Sequence, residues 1–339
     1  GPLVDNTATL TQAAEMRLMH TIHPDAEKVL RDIHADIWNL CNNHIMDAGQ
    51  DGLALTLQEA KKFGAKTIGV GMNMTEAARP LILDEAGGIG LFAVGYQRGC
   101  KPAGEDKGGC LSWSEMEIIR STIQEIKTKC RWCVVVAHGG EEFTAIPSPY
   151  TRDRYHAYLE MGADLVVCHH PHVPMNYETV GDKMIFYSLG NFIFDTDYQR
   201  AQFNTEKGIL LKLHFTEDSF SFEAFGLKIN RENEHIESAP LPKIFADIQE
   251  NDYNKLEPLA AKMFLAATKR QQLFLYPDKF KNATEAQWKD HFYEEKRSGR
   301  VPGEALDFQI IYPIAQEEAK GAWKTCKLED VKAYILEQM

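Results

Sequence analysis

The spacing of apolar positions changes character several times along the chain, and the changes mark its elements. Ala26, Val29, Leu30 and Ile33 recur at helical spacing between Pro24 and His34, and a strand-like run from Asp36 to Cys41 follows. Leu53, Leu55, Leu57, Ala60 and Phe63 predict a second helix, closed by Gly64 as a residue free to turn left-handed. A strand over 65–71 and a short helix over 75–80 come next, then strands over 81–85 and 89–95 joined by Gly87-Gly88. Beyond a Gly- and Lys-containing loop over 97–110, Ser112 to Lys129 is amphipathic, with Ser112 or Ser114 as its N-cap. Trp132 to Ala137 reads as a strand. Ser148 to Met161 reads as a helix, with Pro149 in the first turn where its missing N–H does no harm. Leu165 to Cys168 is a short buried strand, and 173–180, 183–188, 208–215 and 219–228 are antiparallel strands with tight connections.

Strand and helix therefore alternate to about residue 170, and strands dominate to about 230. That order predicts an α/β fold whose mainly parallel sheet is extended or faced by antiparallel strands. From Glu232 the sequence turns charged and helix-prone, broken by Pro240, Pro242, Pro258, Pro277, Pro302 and Pro313. We place a boundary near 235, with a main domain over 1–235. A mainly helical extension over 236–339 would pack on it through residues such as Met263, Phe264, Trp288 and Phe292. No internal repeat or low-complexity tract is present.

Chemistry gathers at three predicted strand ends. Asn43 and His44 follow the first, His138 with Glu142 follows the second, and His169, His170 and His172 follow the third. Five of the twelve histidines thus sit directly after strands. In open parallel sheets the carboxyl ends of strands lie along one edge, where ligands bind. Imidazole, amide oxygen and carboxylate together suit Mn, Fe or Zn. Such ions act as Lewis acids toward tetrahedral phosphoryl or acyl transition states. In His170-Pro171-His172, the proline stiffens a segment that carries two imidazoles.

Charge and cysteine usage narrow the partners. A net charge of −12 argues against nucleic acid, whose phosphates need clustered Lys and Arg. An acidic protein still takes an anionic substrate where a metal ion reverses the local field. No run of about 18 uncharged apolar residues occurs. The seven cysteines are spread out, and Cys130-x-x-Cys133 has no second pair to complete a zinc site. These two are read as small apolar residues where a helix meets a strand, and free thiols favour a reducing, cytoplasmic compartment.

Three segments carry a family resemblance: Asn42-Asn43-His44 through Asp47, Gly49, Gly52 and Leu53; His138-Gly-Gly-Glu-Glu142-Phe with Arg152 to Asp164; and Cys168-His-His-Pro-His172-Val with Tyr187-Ser-Leu-Gly-Asn191-Phe-Ile-Phe-Asp195. In this order and spacing the chain resembles the CapA, or poly-γ-glutamate capsule-biosynthesis, family. The resemblance implies a calcineurin-like metallophosphatase fold, a layered α/β/β/α sandwich with mixed sheets. It also implies a divalent metal held by Asn43, His138, His170 and His172. His44, Glu142 and Arg152 would serve catalysis, with Arg152 reaching an anionic group. His169 and Asn191 would meet substrate, although His169 could instead face the core or support a ligand, and Asn191 could be a turn residue.

Cys168 stands where the family has glycine, and Gly139 where it often has an aromatic residue. The opening Gly1-Pro2-Leu3 resembles the end of the family's Asn-Leu-Glu-Gly-Pro segment. A first strand carrying an aspartate and a glutamate of the site is therefore expected upstream, with the true amino terminus. The function implied is a metal-dependent hydrolase or phosphoesterase acting on an anionic polymer or phosphoester. The alternative is a non-catalytic component that binds an anionic polymer in a membrane-associated synthesis or export complex at the cell envelope.

Overall fold

In a computed structural model, the structure describes residues 1–4, 20–96, 99–202 and 204–249, with positions 253, 254, 256, 260 and 284. It divides into two compact units. The first comprises Gly1–His138, Tyr158–Val167 and Phe215–Ser219; the second comprises Gly139–Ala157, Cys168–His214 and Phe220–Met339. The helices expected beyond about 250 lie outside the described residues. Among the described residues no helix is long and apolar enough to cross a membrane.

The chain begins with α1 (Glu27–Asp32), β1 (Ile37–Asn39), α2 (Gly49–Phe63), β2 (Lys66–Ile68), β3 (Val70–Gly71) and α3 (Met74–Ala77). It continues through β4 (Leu81–Leu83), β5 (Ile89–Gly95), β6 (Gly109–Cys110), α4 (Met116–Lys129) and β7 (Trp132–His138). Then come α5 (Pro149–Met161), β8 (Leu165–His169), β9 (Tyr177–Val180), β10 (Lys183–Phe186) and α6 (Asp197–Arg200). The last strands are β11 (Lys207–Phe215), β12 (Phe220–Asn230) and β13 (His235–Ala239). The protein is thus a mixed α/β molecule with several sheets.

In the first unit β4, β5, β7 and the start of β8 are neighbours in that order. β4 runs antiparallel to β5, while β5 and β7 are parallel from Ile89↔Trp132 to Gly95↔His138. Both central strands are unbroken apolar runs, as a parallel sheet covered on both faces requires. α4 is amphipathic and buries Ile119, Ile123 and Ile126 completely, each contributing about 1.5–3 kcal/mol of burial. Asp164 sits just before β8 and joins three elements: its Oδ2 accepts from the Cys133 amide at 2.7 Å and from Lys127 Nζ at 2.8 Å. β1 pairs with β2 in parallel, and β3 pairs with β6 antiparallel.

Several local expectations hold, and others shift for visible reasons. Gly64 closes α2 at φ 89°, a conformation that costs glycine little. Cys130 closes α4 and Cys133 lies in β7, both buried and outside any disulfide. The single strand expected over 65–71 splits into β2 and β3 at Gly69, where φ is 84°. Neither Ser112 nor Ser114 caps α4. The helix starts at Met116 after Glu115, and the two seryl hydroxyls bond each other at 2.7 Å. The strand expected from Val173 begins only at Tyr177.

In the second unit the end of β8 is followed by β10 and β9, which pair antiparallel. A separate sheet has the order β11-β12-β13. Ser148 Oγ accepts the Thr151 amide at 3.2 Å at the start of α5, as a capping serine does. α5 is tied to β9 by one buried carboxylate. Glu178 accepts from Arg152 Nε at 3.0 Å, from Arg152 Nη2, from His156 Nε2 at 3.1 Å and from the Tyr187 hydroxyl. The Arg152 guanidinium also lies over the Tyr253 ring, 4.4 Å from its centroid. Burial pushes the Glu178 carboxyl up, but hydrogen bonds from His156, Arg152 and Tyr187 outweigh it and bring the pKa down to about 2. Burial likewise works against the Arg152 charge, and Glu178 more than restores it.

A depressed carboxyl pKa stabilises the fold above its unfolded value, and that stability is lost as pH falls toward the folded value. Glu178→Gln is therefore expected to cost roughly 3 kcal/mol at pH 7, because Arg152 is left without its counter-charge. The gap between wild type and variant should narrow as pH falls below about 4.5. Urea denaturation across that range measures it; a gap that does not change with pH would contradict the assignment.

Candidate functional site

Each unit carries its own group of polar side chains at strand ends. In the first, the chain leaving β1 is folded sharply by its own asparagines. Asn39 Oδ1 accepts the Cys41 amide at 3.1 Å, Asn42 Oδ1 accepts the His44 amide at 3.0 Å, and Asn42 Nδ2 donates to the Leu40 carbonyl. Short amide side chains that bond the nearby backbone make such turns. The turn delivers Asn43 and His44 into a hydrogen-bonded row. His138 Nε2 lies 3.1 Å from Asn43 Oδ1, Asn43 Nδ2 lies 3.2 Å from His44 Nε2, and His44 Nδ1 lies 2.8 Å from Asp47 Oδ2.

With Asn43 Nδ2 donating to His44 Nε2, the His44 proton rests on Nδ1 and faces Asp47. Asp47 is buried and also accepts the His20 amide at 2.9 Å, and the His20 ring packs edge-on against His44 with centroids 4.3 Å apart. Asp47 was not among the residues singled out for chemistry. Its signal was the three-residue spacing from His44 across a tight turn.

In the second unit, Glu142, His170 and His172 converge, with one ligand atom from each lying within 4.8 Å of the others. The loop after β7 and the end of β8 are joined by main-chain bonds, Gly139 N to His169 O at 3.0 Å and Phe143 N to Pro171 O at 2.8 Å. At and beside these ties the backbone has positive φ at non-glycine residues, with φ 61° at Phe143, 116° at His170 and 63° at His172. Such conformations persist where the surroundings over-determine them, and they gather at functional sites.

His172 is held in place on every side. Its ring stacks on Phe194 at 5.1 Å and on Phe143 at 5.8 Å, and its Nδ1 lies 2.8 Å from Asn191 Oδ1. The Asn191 amide is oriented by its other end, where Nδ2 donates to the Thr205 carbonyl at 2.9 Å and to Gln199 Oε1 at 3.3 Å. Its oxygen must therefore accept, so the His172 proton rests on Nδ1 and Nε2 keeps its lone pair. A partner that fixes the ring and tautomer in this way is what metal-binding histidines ordinarily have. Asn191 thus acts on His172; it is more than a turn residue.

The neighbouring acids divide their tasks. Glu142 joins the imidazoles, whereas Glu141 accepts from Ser148 Oγ at 2.9 Å and Thr151 Oγ1 at 3.3 Å. Burial pushes the Glu141 carboxyl above its usual range, against those hydroxyl bonds. His169 ends β8 outside the Glu142–His170–His172 group, and desolvation lowers its pKa to about 4, so it is neutral at physiological pH. Arg152, expected to reach an anionic group, has its guanidinium on Glu178. The two departures from the family pattern meet each other: Cys168 Sγ lies 3.4 Å from the Gly139 carbonyl and 2.7 Å from the Tyr155 hydroxyl, with its pKa raised to about 12 by burial.

Comparison with known proteins identifies the family. A family model described as bacterial capsule synthesis protein PGA_cap matches residues 4–196. The PGA biosynthesis protein CapA of Bacillus subtilis is 32% identical over 182 residues, 52% of this chain and 47% of that protein. The capsule biosynthesis protein CapA of Bacillus anthracis is 27% identical over 61% of this chain and 51% of its own. A probable polyglutamine synthesis accessory protein of Mycobacterium tuberculosis is 24% identical over 57% of this chain and 55% of its own. The chain spans about half the length of these curated relatives. Its match over 4–196 contains both groups of strand-end residues, and the chain belongs to the PGA_cap family of bacterial capsule synthesis proteins.

Proposed function

We propose that this protein is a metal-dependent hydrolase of capsule biosynthesis, built on a metallophosphatase-like layered sandwich and acting on an anionic substrate such as poly-γ-glutamate or a phosphoester. The observation that carries the reading is the convergence of Glu142, His170 and His172 with Asn191 behind His172. Two imidazoles and a carboxylate are a donor set that Mn, Fe and Zn accept. The fit is specific at His172, whose ring and tautomer are set by the Nδ1 bond to Asn191. An ion held there would supply Lewis acidity and a positive field for an anionic substrate in a chain of net charge −12.

The remaining roles belong to side chains. Asn191 keeps the His172 proton on Nδ1, and Phe143 and Phe194 keep the ring plane fixed. We assign His44 to proton handling: Asp47 holds the proton on its Nδ1, and its Nε2 accepts from Asn43. Asn43 and His138 hold each other, so a metal ion at either would first replace the bond between Asn43 Oδ1 and His138 Nε2. Glu178 neutralises Arg152, and we assign Arg152 to holding α5 against β9.

Metal content and affinity test the reading. Wild-type protein loaded with Mn, Fe or Zn should retain the ion through gel filtration, and Glu142→Gln, His170→Ala and His172→Ala should lose it while keeping native circular dichroism. Retention at wild-type level in all three variants would sink the assignment. Generic phosphoesters and poly-γ-glutamate then distinguish the two roles. Hydrolysis abolished by chelation supports the enzyme, whereas polymer binding that survives chelation without hydrolysis supports a non-catalytic component.

Asn191→Ala is a sharper probe, because Asn191 is placed behind a ligand. It should weaken metal binding about 10- to 100-fold with little loss of fold. Isothermal titration measures the change, and an unaltered affinity would show that Asn191 does not orient His172.

A further inference from the structure

Three cysteines from separate segments meet in the core of the first unit. Cys41 follows β1, Cys100 lies before β6, and Cys110 ends β6. All three are free and no more than 1% exposed, and the sulfurs of Cys41 and Cys100 come together beside Gly95. Gly95 makes the approach possible. A Cβ built there would stand 2.6 Å from Cys100 Sγ and 2.8 Å from Cys41 Sγ, so any side chain at this position would push the two sulfurs apart.

The thiols also touch the backbone that presents the first unit's polar row. Cys100 Sγ lies 3.8 Å from the His138 carbonyl, and Cys110 Sγ lies 3.9 Å from the Asn42 carbonyl. Cys41 immediately precedes Asn42 and Asn43. A packing role alone needs small apolar residues here; it does not need two sulfurs set side by side against a glycine, with a third cysteine in the same core cluster.

We propose that this cluster is a thiol–disulfide site, in which a peroxide oxidises Cys41 and Cys100 to a disulfide while Cys110 stays reduced. One sulfur attacks the peroxide and displaces hydroxide to give a sulfenic acid, and the other thiol then attacks that sulfur and displaces its hydroxide. The two thiol protons leave with the two hydroxides as water. Two S–H bonds and the O–O bond break, one S–S bond forms, the thiols are oxidised and the peroxide is reduced. The S–S distance of about 2.05 Å draws the sulfurs together. Cys100 then no longer donates to the His138 carbonyl, and the backbone at Cys41 is pulled toward Gly95. The polar row from His138 to Asp47 therefore senses the redox state of sulfurs that no substrate reaches.

Hydrogen peroxide on the full chain, followed by alkylation in denaturant and peptide mapping, tests the site without metal or substrate. Of the seven cysteines, two should become resistant to alkylation, in one cross-linked peptide pair containing Cys41 and Cys100, and dithiothreitol should restore both. Cys41→Ser and Cys100→Ser should each abolish the cross-link, and Cys110→Ser should leave it. A second readout is the His138 imidazole signal in ¹H–¹³C spectra, expected to shift on oxidation of wild type and to stay put in Cys100→Ser. Should a serine variant fail to fold, the wild-type map and spectrum decide alone. Seven alkylated cysteines after oxidation, or a cross-link joining a different pair, would overturn the proposal.

Discussion

Parallel pairing of β5 with β7 is the constraint from which the first unit's chemistry follows. A strand covered on both faces excludes polar side chains along its length, because each would have to be buried without water. Polar groups can enter only where the strand stops. β7 runs through buried Cys133, Val134, Val135 and Ala137 and reaches its first imidazole at its last residue, His138, opposite Gly95. β8 repeats the rule with Leu165 to Cys168 buried and His169 at its end. The imidazoles are at the ends because the hydrophobic ladder leaves them nowhere else to be.

This explains which features could be read from the sequence. Apolar runs that end in histidine mark strand ends, and which polar residues gather there was legible: Asn43 with His44 and His138, and Glu142 with His170 and His172. The β-rich region after residue 170 was legible too, from the alternation along what became β11 and β12. What escaped was pairing between distant positions. Nothing in the sequence near Arg152 shows that Glu178 waits on β9, so a buried ion pair reads as a free anion-binding arginine. The link between Asn191 and His172 spans a hairpin and a loop, and the Ser-Leu-Gly-Asn sequence around Asn191 also fits an ordinary turn. Glu141 and Glu142 are identical as residue types. Only the positions of the Ser148 and Thr151 hydroxyls separate a carboxylate held by hydroxyls from one facing imidazoles.

The departures from the family pattern carry a related lesson. Cys168 and Gly139, taken singly, are irregularities at the two places where the motifs should be strictest. In three dimensions they form one contact, with the thiol against the glycine carbonyl and the Tyr155 hydroxyl closing the other side. A larger residue before His169 is accommodated where the facing loop carries no side chain, so the pair makes more sense as a unit than as two exceptions.

The left-handed backbone at Phe143, His170 and His172 has a consequence for ion choice. A loop that had to be bent into shape by its ligand would accommodate many radii, trading strain for fit. Here the strain is already present and is carried by two main-chain ties and two aromatic stacks. The backbone under His170 and His172 is shaped by the fold itself, as in a rigid macrocycle. Were a divalent ion held there, its radius would have to suit the frame.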